Sequence, residues 1–241
     1  MSERFFVPQT IAAGRVELAG DEARHLSAVM RAQPGDEVIL FDGSGAEFAA
    51  RIAAVGKRAV QLDVAERREV SRELPFALTL AVALPKGERQ KWLVEKATEL
   101  GVTRLVPLVT ERGVAQPVEA ALDRLRRTVI EASKQCGRNR LMEIAVPRRA
   151  DDYLRSTTPS ATRLLADPAG QSLGQLHDQP RAGSDWHAAI GTEGGFSPGE
   201  TAAATAAGWR LVSLGPRILR VETAALMLAA WMTAPSPSQP R

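Results

Sequence analysis

Three segments in the second half of the chain expose backbone rather than side chain. They are Ala166-Asp167-Pro168-Ala169-Gly170, then Gly191-Thr192-Glu193-Gly194-Gly195-Phe196-Ser197-Pro198-Gly199-Glu200, then Leu214-Gly215-Pro216-Arg217-Ile218-Leu219-Arg220-Val221-Glu222-Thr223. Each follows an apolar run that reads as a strand. In open α/β sheets ligands settle beyond the carboxyl ends of strands, where loops offer bare N–H and C=O groups. Three adjacent loops of this kind predict a backbone-lined pocket. Part of the second loop needs no ligand: Ser197-Pro198-Gly199-Glu200 is a capping box, with a serine cap, proline in the first helical position and a glutamate reaching back. Gly191, Gly194 and Gly195 are left over, and they call for positive φ or close backbone approach. Their spacing is not G-x-G-x-x-G, and no G-x-x-x-x-G-K-S/T segment occurs, so neither a Rossmann dinucleotide site nor a phosphate loop is indicated.

The elements behind these loops read as α/β. From Pro75 onward, apolar runs without alternation (77–84, 105–109, 144–146, 164–166, 188–190 and 211–214) are separated by helical stretches. Parallel strands buried on both faces read this way. A helix over 88–100 stops at Gly101. A second, over 119–136, places Leu122, Leu125, Val129, Ala132 and Cys136 on one stripe, with Arg127, Lys134 and Arg138 away from it. Cys136 is thereby expected to pack rather than to attack a substrate.

Residues 1–72 read differently. Short β segments at 15–18, 37–41, 48–55 and 59–64 are broken by turn signals such as Asp42-Gly43-Ser44-Gly45, and they predict a small barrel. A short helix over 21–30 is expected to carry His25, Leu26 and Val29 along one side, with His25 a packing residue. The charged stretch from Glu66 to Glu73 reads as a linker. The expected division is therefore 1–72 and 73–234, with 235–241 a frayed tail.

Composition bounds the chemistry. A hydrophobic share of 44% with 24% charged residues is ordinary for a soluble domain. No apolar run approaches the roughly 20 residues of a membrane helix. One cysteine excludes an internal disulfide, and three histidines lack zinc-site spacing. A reduced, metal-free, cytoplasmic protein is expected, since the opening residues are too short for a signal-peptide core. Net charge is only +3, but between Ala121 and Ala150 eight basic residues face three acidic ones. Concentrated charge of this kind attracts polyphosphates. A solvated arginine-rich helix face would look the same.

Beyond this, two segments carry a resemblance. Ile190-Gly-Thr-Glu-Gly-Gly-Phe-Ser-Pro-Gly-Glu200 and Ser213-Leu-Gly-Pro-Arg-Ile-Leu-Arg-Val-Glu-Thr-Ala-Ala225 closely resemble the signatures of the RsmE family. These are SPOUT-class methyltransferases that modify N3 of a uridine in 16S ribosomal RNA. The segments 85–89, 96–101 and Glu131-Ala-Ser-Lys-Gln-Cys-Gly-Arg-Asn-Arg140 agree, as do Arg24-His-Leu-Ser-Ala-Val-Met-Arg31 and Phe41-Asp-Gly-Ser44. One departure is Thr192, where the family usually carries proline. Threonine restores a backbone N–H and frees φ.

The resemblance implies an N-terminal PUA-like β-barrel for RNA and a C-terminal parallel-sheet SPOUT domain tied in a trefoil knot, paired as a homodimer. It implies that S-adenosyl-L-methionine lies against Leu165, Ile190, Gly191, Glu193, Gly194, Gly195, Leu214, Gly215, Ile218, Leu219, Thr223 and Ala224. Backbone groups are able to read adenine, and a sulfonium needs no phosphate cradle. Uridine N3 is a poor nucleophile while protonated, so the site must favour the imide anion at O2 and O4. Arg220 and Arg138 are the candidates for that, with a phosphate contact the alternative for Arg138. Glu193 and Glu222 are possible bases or loop-orienting groups. Arg24, Arg31, Lys86, Arg89, Arg127, Lys134, Arg138 and Arg140 are the expected contacts to the small-subunit RNA. The rival readings are an RNA- or ribosome-binding module that kept the fold without catalysis, supported by Thr192 alone, and a SPOUT enzyme with another RNA target.

Overall fold

The computed structural model describes residues 3–113, 119–156, 160–176 and 184–234. The tail expected to fray, 235–241, lies outside the described residues. The chain forms two compact units, one comprising Met1–Glu73 with Ile130–Leu141 and the other Leu74–Val129 with Met142–Arg241.

In the first unit, β1 (Arg4–Phe6), β2 (Gly14–Ala19), β3 (Glu37–Phe41), β4 (Glu47–Val55) and β5 (Ala59–Arg68) form one curled sheet in the order β1-β3-β4-β5-β2. Only β1 and β3 run parallel. Alternation puts Val38 and Leu40 of β3, Ala50 and Ile52 of β4, and Val60 and Leu62 of β5 into one core with Phe5 and Leu18. Each large side chain buried there contributes about 1.5–3 kcal/mol. Between β2 and β3, α1 (Gly20–Arg24) continues into a π-helical turn, His25–Val29.

Two expectations need correction here. The helix does not present His25, Leu26 and Val29 together: Ala23 and Leu26 are buried, while His25 is exposed and Val29 is 67% exposed. The wider π turn rotates the later side chains off an α-helical stripe. The charged stretch after Val64 is not all linker either, because β5 runs on to Arg68 and pairs Glu66, Arg67 and Arg68 with Ala49, Phe48 and Glu47. The outer strand positions tolerate charge because they face water.

Ile130–Leu141 is fastened to this unit by a buried polar network. Glu47, 7% exposed, accepts from Arg4 Nη1 at 2.9 Å, Arg72 Nη1 at 3.0 Å and Asn139 Nδ2 at 3.4 Å. Burial would raise its pKa, but the bonds from Arg4, Arg72 and Asn139 outweigh it and hold the carboxyl below its usual range. Asn139 Nδ2 also donates to the Val70 carbonyl at 2.8 Å. Arg138, 3% exposed, donates from Nε and Nη2 to the two carboxylate oxygens of Glu73 at 3.0 and 2.5 Å.

The second unit contains β6 (Ala77–Val82), α2 (Glu88–Glu99), β7 (Arg104–Val109), most of α3 (Glu119–Cys136), β8 (Glu143–Ile144), β9 (Arg148–Arg149), α4 (Ala150–Arg155), β10 (Thr162–Ser172), β11 (Asp185–Ile190), α5 (Pro198–Ala206), β12 (Arg210–Ser213) and α6 (Val221–Thr233). Its sheet is parallel throughout, in the order β12-β10-β11-β6-β7-β8 with β9 added to β7. On one face Ala81, Val106, Leu165 and Ala189 pack with Tyr153 and Leu154 of α4 and Ala204 of α5. Over the other, α6 lies on β11 and β6, and α2 packs on α6. Along α3, Leu122, Leu125, Val129 and Ala132 are buried as the stripe predicted, and Cys136 is half-buried. Among the described residues no helix is long and apolar enough to cross a membrane.

Candidate functional site

A cavity of about 430 Å³ opens beside residues 166–168 within β10 and at the carboxyl ends of β11 and β12. That lies within the range of about 300–1,000 Å³ typical of small-molecule sites. Three local structures shape it, one from each of the loops singled out in the sequence.

The first is not a simple loop. β10 pairs with β12 on both sides of an excursion, since Ala166 and Gln171 both register with Val212. Residues 167–170 are thus pushed out of the ladder toward the cavity, which Asp167 and Pro168 line. Asp167 Oδ1 accepts from the Ala169 amide at 2.8 Å and closes a local turn. Gly170 is obligatory at the return, because a Cβ there would overlap the Leu211–Val212 peptide.

The second is a tight turn at the end of β11. Gly195 N–H donates to the Thr192 carbonyl at 2.8 Å, and Gly195 adopts φ +69°. A Cβ on Gly191 would stand 2.8 Å from the Gly195 carbonyl carbon and 2.9 Å from Phe196 N, so the turn closes only over a glycine. Thr192 Oγ1 donates to the Gly195 carbonyl at 3.3 Å, a bond across the turn that the family's proline could not make. Beyond the turn the capping box is complete: Ser197 Oγ accepts from Glu200 N at 3.1 Å, and Glu200 Oε2 accepts from Ser197 N at 2.8 Å. Glu200 Oε1 also accepts from Glu111 N at 2.9 Å, which draws the segment after β7 to the site.

Arg112 arrives by that route. Its Nη1 donates to the Gly194 carbonyl at 2.5 Å, and the side chain lines the cavity. The third wall, between β12 and α6, supplies Leu214, Gly215, Arg217, Ile218 and Leu219, with Gly215 at φ +111°. Ile218 is 85% exposed at the mouth.

Charge at the rim is organised by Arg89 of α2. Its Nη1 lies 3.3 Å from Glu193 Oε1 and 3.6 Å from Glu222 Oε2. Glu222 is 6% exposed, and this oxygen finds no hydrogen-bond donor among the described residues. Arg89 is the cation that offsets the cost of burying it.

Of the residues expected to hold the cofactor, Ile190, Gly191, Glu193, Gly194, Gly195, Leu214, Gly215, Ile218, Leu219 and Ala224 line the cavity. Leu165 is fully buried in the core, and Thr223 is exposed on α6, so neither forms its wall. Arg220 is exposed at the N-cap of α6 and is not a lining residue. Arg112 was missed because nothing near it in sequence marks it; the Glu200 carboxylate brings it in by holding its neighbour Glu111, 89 positions away. Arg217 and Phe196 stood inside the quoted loops without being singled out.

The basic run does not form a single face. Arg126 is bonded to Glu119 and Asp123, Lys134 to Glu22, and Arg138 to Glu73. Arg138, expected to meet substrate or phosphate, is turned inward by a carboxylate 65 positions upstream. Lys134, expected on RNA, is 2.9 Å from Glu22 with only 14% of its side chain exposed. Arg24, Arg31, Lys86, Arg127 and Arg140 are exposed.

Known proteins are similar to this chain in sequence and fold. Residues 72–233 match the model of an RNA methyltransferase domain, and residues 18–65 that of an RNA methyltransferase PUA domain. The ribosomal RNA small subunit methyltransferase E of Synechocystis is 34% identical over 94% of this chain and 75% of its own length. That of Bacillus subtilis is 30% identical over 93% of both chains. The crystal structure of the Neisseria gonorrhoeae ribosomal RNA small subunit methyltransferase E, bound to S-adenosyl methionine, superposes with a TM-score of 0.88 at 30% identity, covering 96% of this chain and 97% of that one. With both domains matched in order and the glycine turns in place around an open cavity, the chain belongs to the ribosomal RNA small subunit methyltransferase E family.

Proposed function

We propose that this protein transfers a methyl group from S-adenosyl-L-methionine to N3 of a uridine in 16S ribosomal RNA of the small subunit. The observation that carries this reading is the open cavity beside residues 166–168 of β10 and the ends of β11 and β12, walled by apolar side chains and by the glycine turns at 191–195 and 215. Bound there, the cofactor supplies a methyl group activated on a sulfonium. Ile190, Leu214, Ile218 and Leu219 offer apolar walls for its adenine ring, while the turns offer amides and carbonyls to its polar edge. Among the described residues no side chain fills the cavity, as an adenosyl group requires.

Uridine N3 attacks only after its proton has left. In our reading Arg220, exposed at the head of α6, and the lining residues Arg112 and Arg217 present positive charge to O2 and O4 and favour the imide anion. Alignment of N3 with the methyl carbon does the rest of the work. Arg89 holds Glu193 and Glu222 as orienting carboxylates. Arg24, Arg31, Lys86 and Arg127 are the proposed RNA contacts, and the target base is unstacked to reach the cavity. We further propose that two chains pair as a homodimer, that the C-terminal unit is knotted, and that the protein acts in the cytoplasm on small ribosomal subunits or their RNA.

The test is transfer of labelled methyl groups from S-adenosylmethionine to 16S RNA lacking the modification, followed by digestion and mass spectrometry. We expect 3-methyluridine. Label on another nucleoside points to a different target, and failure of the protein to bind the donor at all points to a non-catalytic module.

A further inference from the structure

A second, smaller site lies in the N-terminal unit. A crevice of about 120 Å³ opens between the turn before β4 and the chain after β5, lined by Gly45, by residues 69–73 and by Asn139 and Arg140. Arg72 and Asn139 on its wall belong to the network around Glu47 already described.

The charges that line the crevice, Arg72 and Arg140 against Glu69 and Glu73, balance. Both carboxylates are taken up from behind, Glu69 by Arg67 and Glu73 by Arg138, while Arg72 shares Glu47 with Arg4. The ion-paired cluster with Arg140 therefore holds five guanidinium groups and three carboxylates, a net charge of +2. Every carboxylate at the site is engaged by an arginine. Arg140 is exposed, and no hydrogen bond or ion pair ties it among the described residues.

Arg140 is nonetheless placed. Its guanidinium lies beside Gly45, where a Cβ would stand 2.9 Å from both Nε and Nη2. Gly45 has φ +110°, so the turn both requires glycine and clears the space that the guanidinium occupies. A cation lying against backbone beside a small polar crevice, with no counter-ion among the described residues, presents its charge to an incoming anion. The planar fork of arginine matches two oxygens of a phosphate.

We propose that this crevice is a phosphate-binding subsite, with Arg140 the principal anchor and Arg72 the second cation, and that its ligand is a phosphodiester group of the RNA substrate. The proposal rests on the functional reading above, which supplies the RNA. It places one backbone contact on the N-terminal unit at residues that carry no part of the methyl-transfer cavity.

The experiment is a salt titration of RNA affinity with the full-length protein and a 16S RNA fragment, comparing parent, Arg140→Ala and Arg140→Lys. Loss of one phosphate contact lowers the slope of log affinity against log salt by about 0.7 for single-stranded RNA and about 0.9 for a duplex. We expect Arg140→Ala to show that drop with RNA binding weakened about 3- to 10-fold. Arg140→Lys should keep the slope and recover part of the affinity. Donor affinity and melting temperature, measured on the same samples, should stay at the parent values. An unchanged slope in Arg140→Ala, with the parent binding RNA normally, would overturn the subsite and leave the functional reading standing. A parent protein that does not bind the RNA would overturn both.

Discussion

Arg89 Nη1 lies 3.3 Å from Glu193 Oε1, and this contact ties helix α2 to the turn at the rim of the cofactor cavity. The same nitrogen faces Glu222 at the start of α6, so one guanidinium links two walls built from distant parts of the chain. The exposed contact to Glu193 contributes about 0–1 kcal/mol to stability, but Arg89→Ala also leaves the buried Glu222 carboxylate without its cation. Arg89→Ala should therefore melt below the parent and bind S-adenosylmethionine about 10-fold more weakly, a loss of about 1.4 kcal/mol. Arg89→Lys should restore part of that affinity. Calorimetry beside a melting curve checks both, and a large loss of stability with unchanged donor binding would assign Arg89 to the fold alone.

The glycines of the β11 turn should not respond alike. A Cβ on Gly191 meets the Gly195 and Phe196 backbone at 2.8–2.9 Å, whereas one on Gly194 meets nothing closer than 3.8 Å. Gly191→Ala should abolish donor binding, and Gly194→Ala should change it only a few-fold. Equal effects would mean that the turn reshapes freely.

Glu200 joins the capping box of α5 to the Glu111 amide. Replacing it by alanine leaves two amide donors without their acceptor, each costing about 1–3 kcal/mol where buried. Urea denaturation of Glu200→Ala should show a loss of about 2–4 kcal/mol, with Glu200→Gln between it and the parent. Donor binding should fall as well, because Arg112 is placed by the same segment.

Stability should fall at both ends of the pH scale through one partly buried pair. Tyr153 Oη and His187 Nδ1 are 2.8 Å apart beneath Trp209. Burial lowers the His187 pKa, helped by Arg163 and Arg104 and opposed by Asp185, so the unfolded chain takes up the proton first. Stability is thus lost as pH drops below the unfolded histidine value of about 6.5. Burial pushes Tyr153 up to about 12, so the unfolded chain ionises first as pH rises above about 10. His187→Gln should flatten the acid limb of a stability–pH profile and leave the alkaline limb; an unchanged acid limb would remove His187 from it.

Much of this was legible in the sequence, for identifiable reasons. The parallel sheet announced itself because its strands are buried on both faces, and the cavity because its turns need glycine where backbones meet. The capping box was readable because all its members lie within four residues. What the sequence hid was set by long-range partners. Arg138 looked like a surface cation until Glu73 was found against it, and Arg112 looked like nothing until Glu200 drew in its neighbour. The excursion at 167–170 was also hidden, because β10 resumes its pairing afterwards and only the shared Val212 register reveals it.

The most direct measurement is a calorimetric titration of S-adenosylmethionine into the parent protein and into Gly191→Ala. The cavity predicts saturable binding of one donor per chain by the parent and none by the variant. A parent that takes up no donor, or a variant that binds as well as the parent, would contradict the placement of methyl transfer in this cavity.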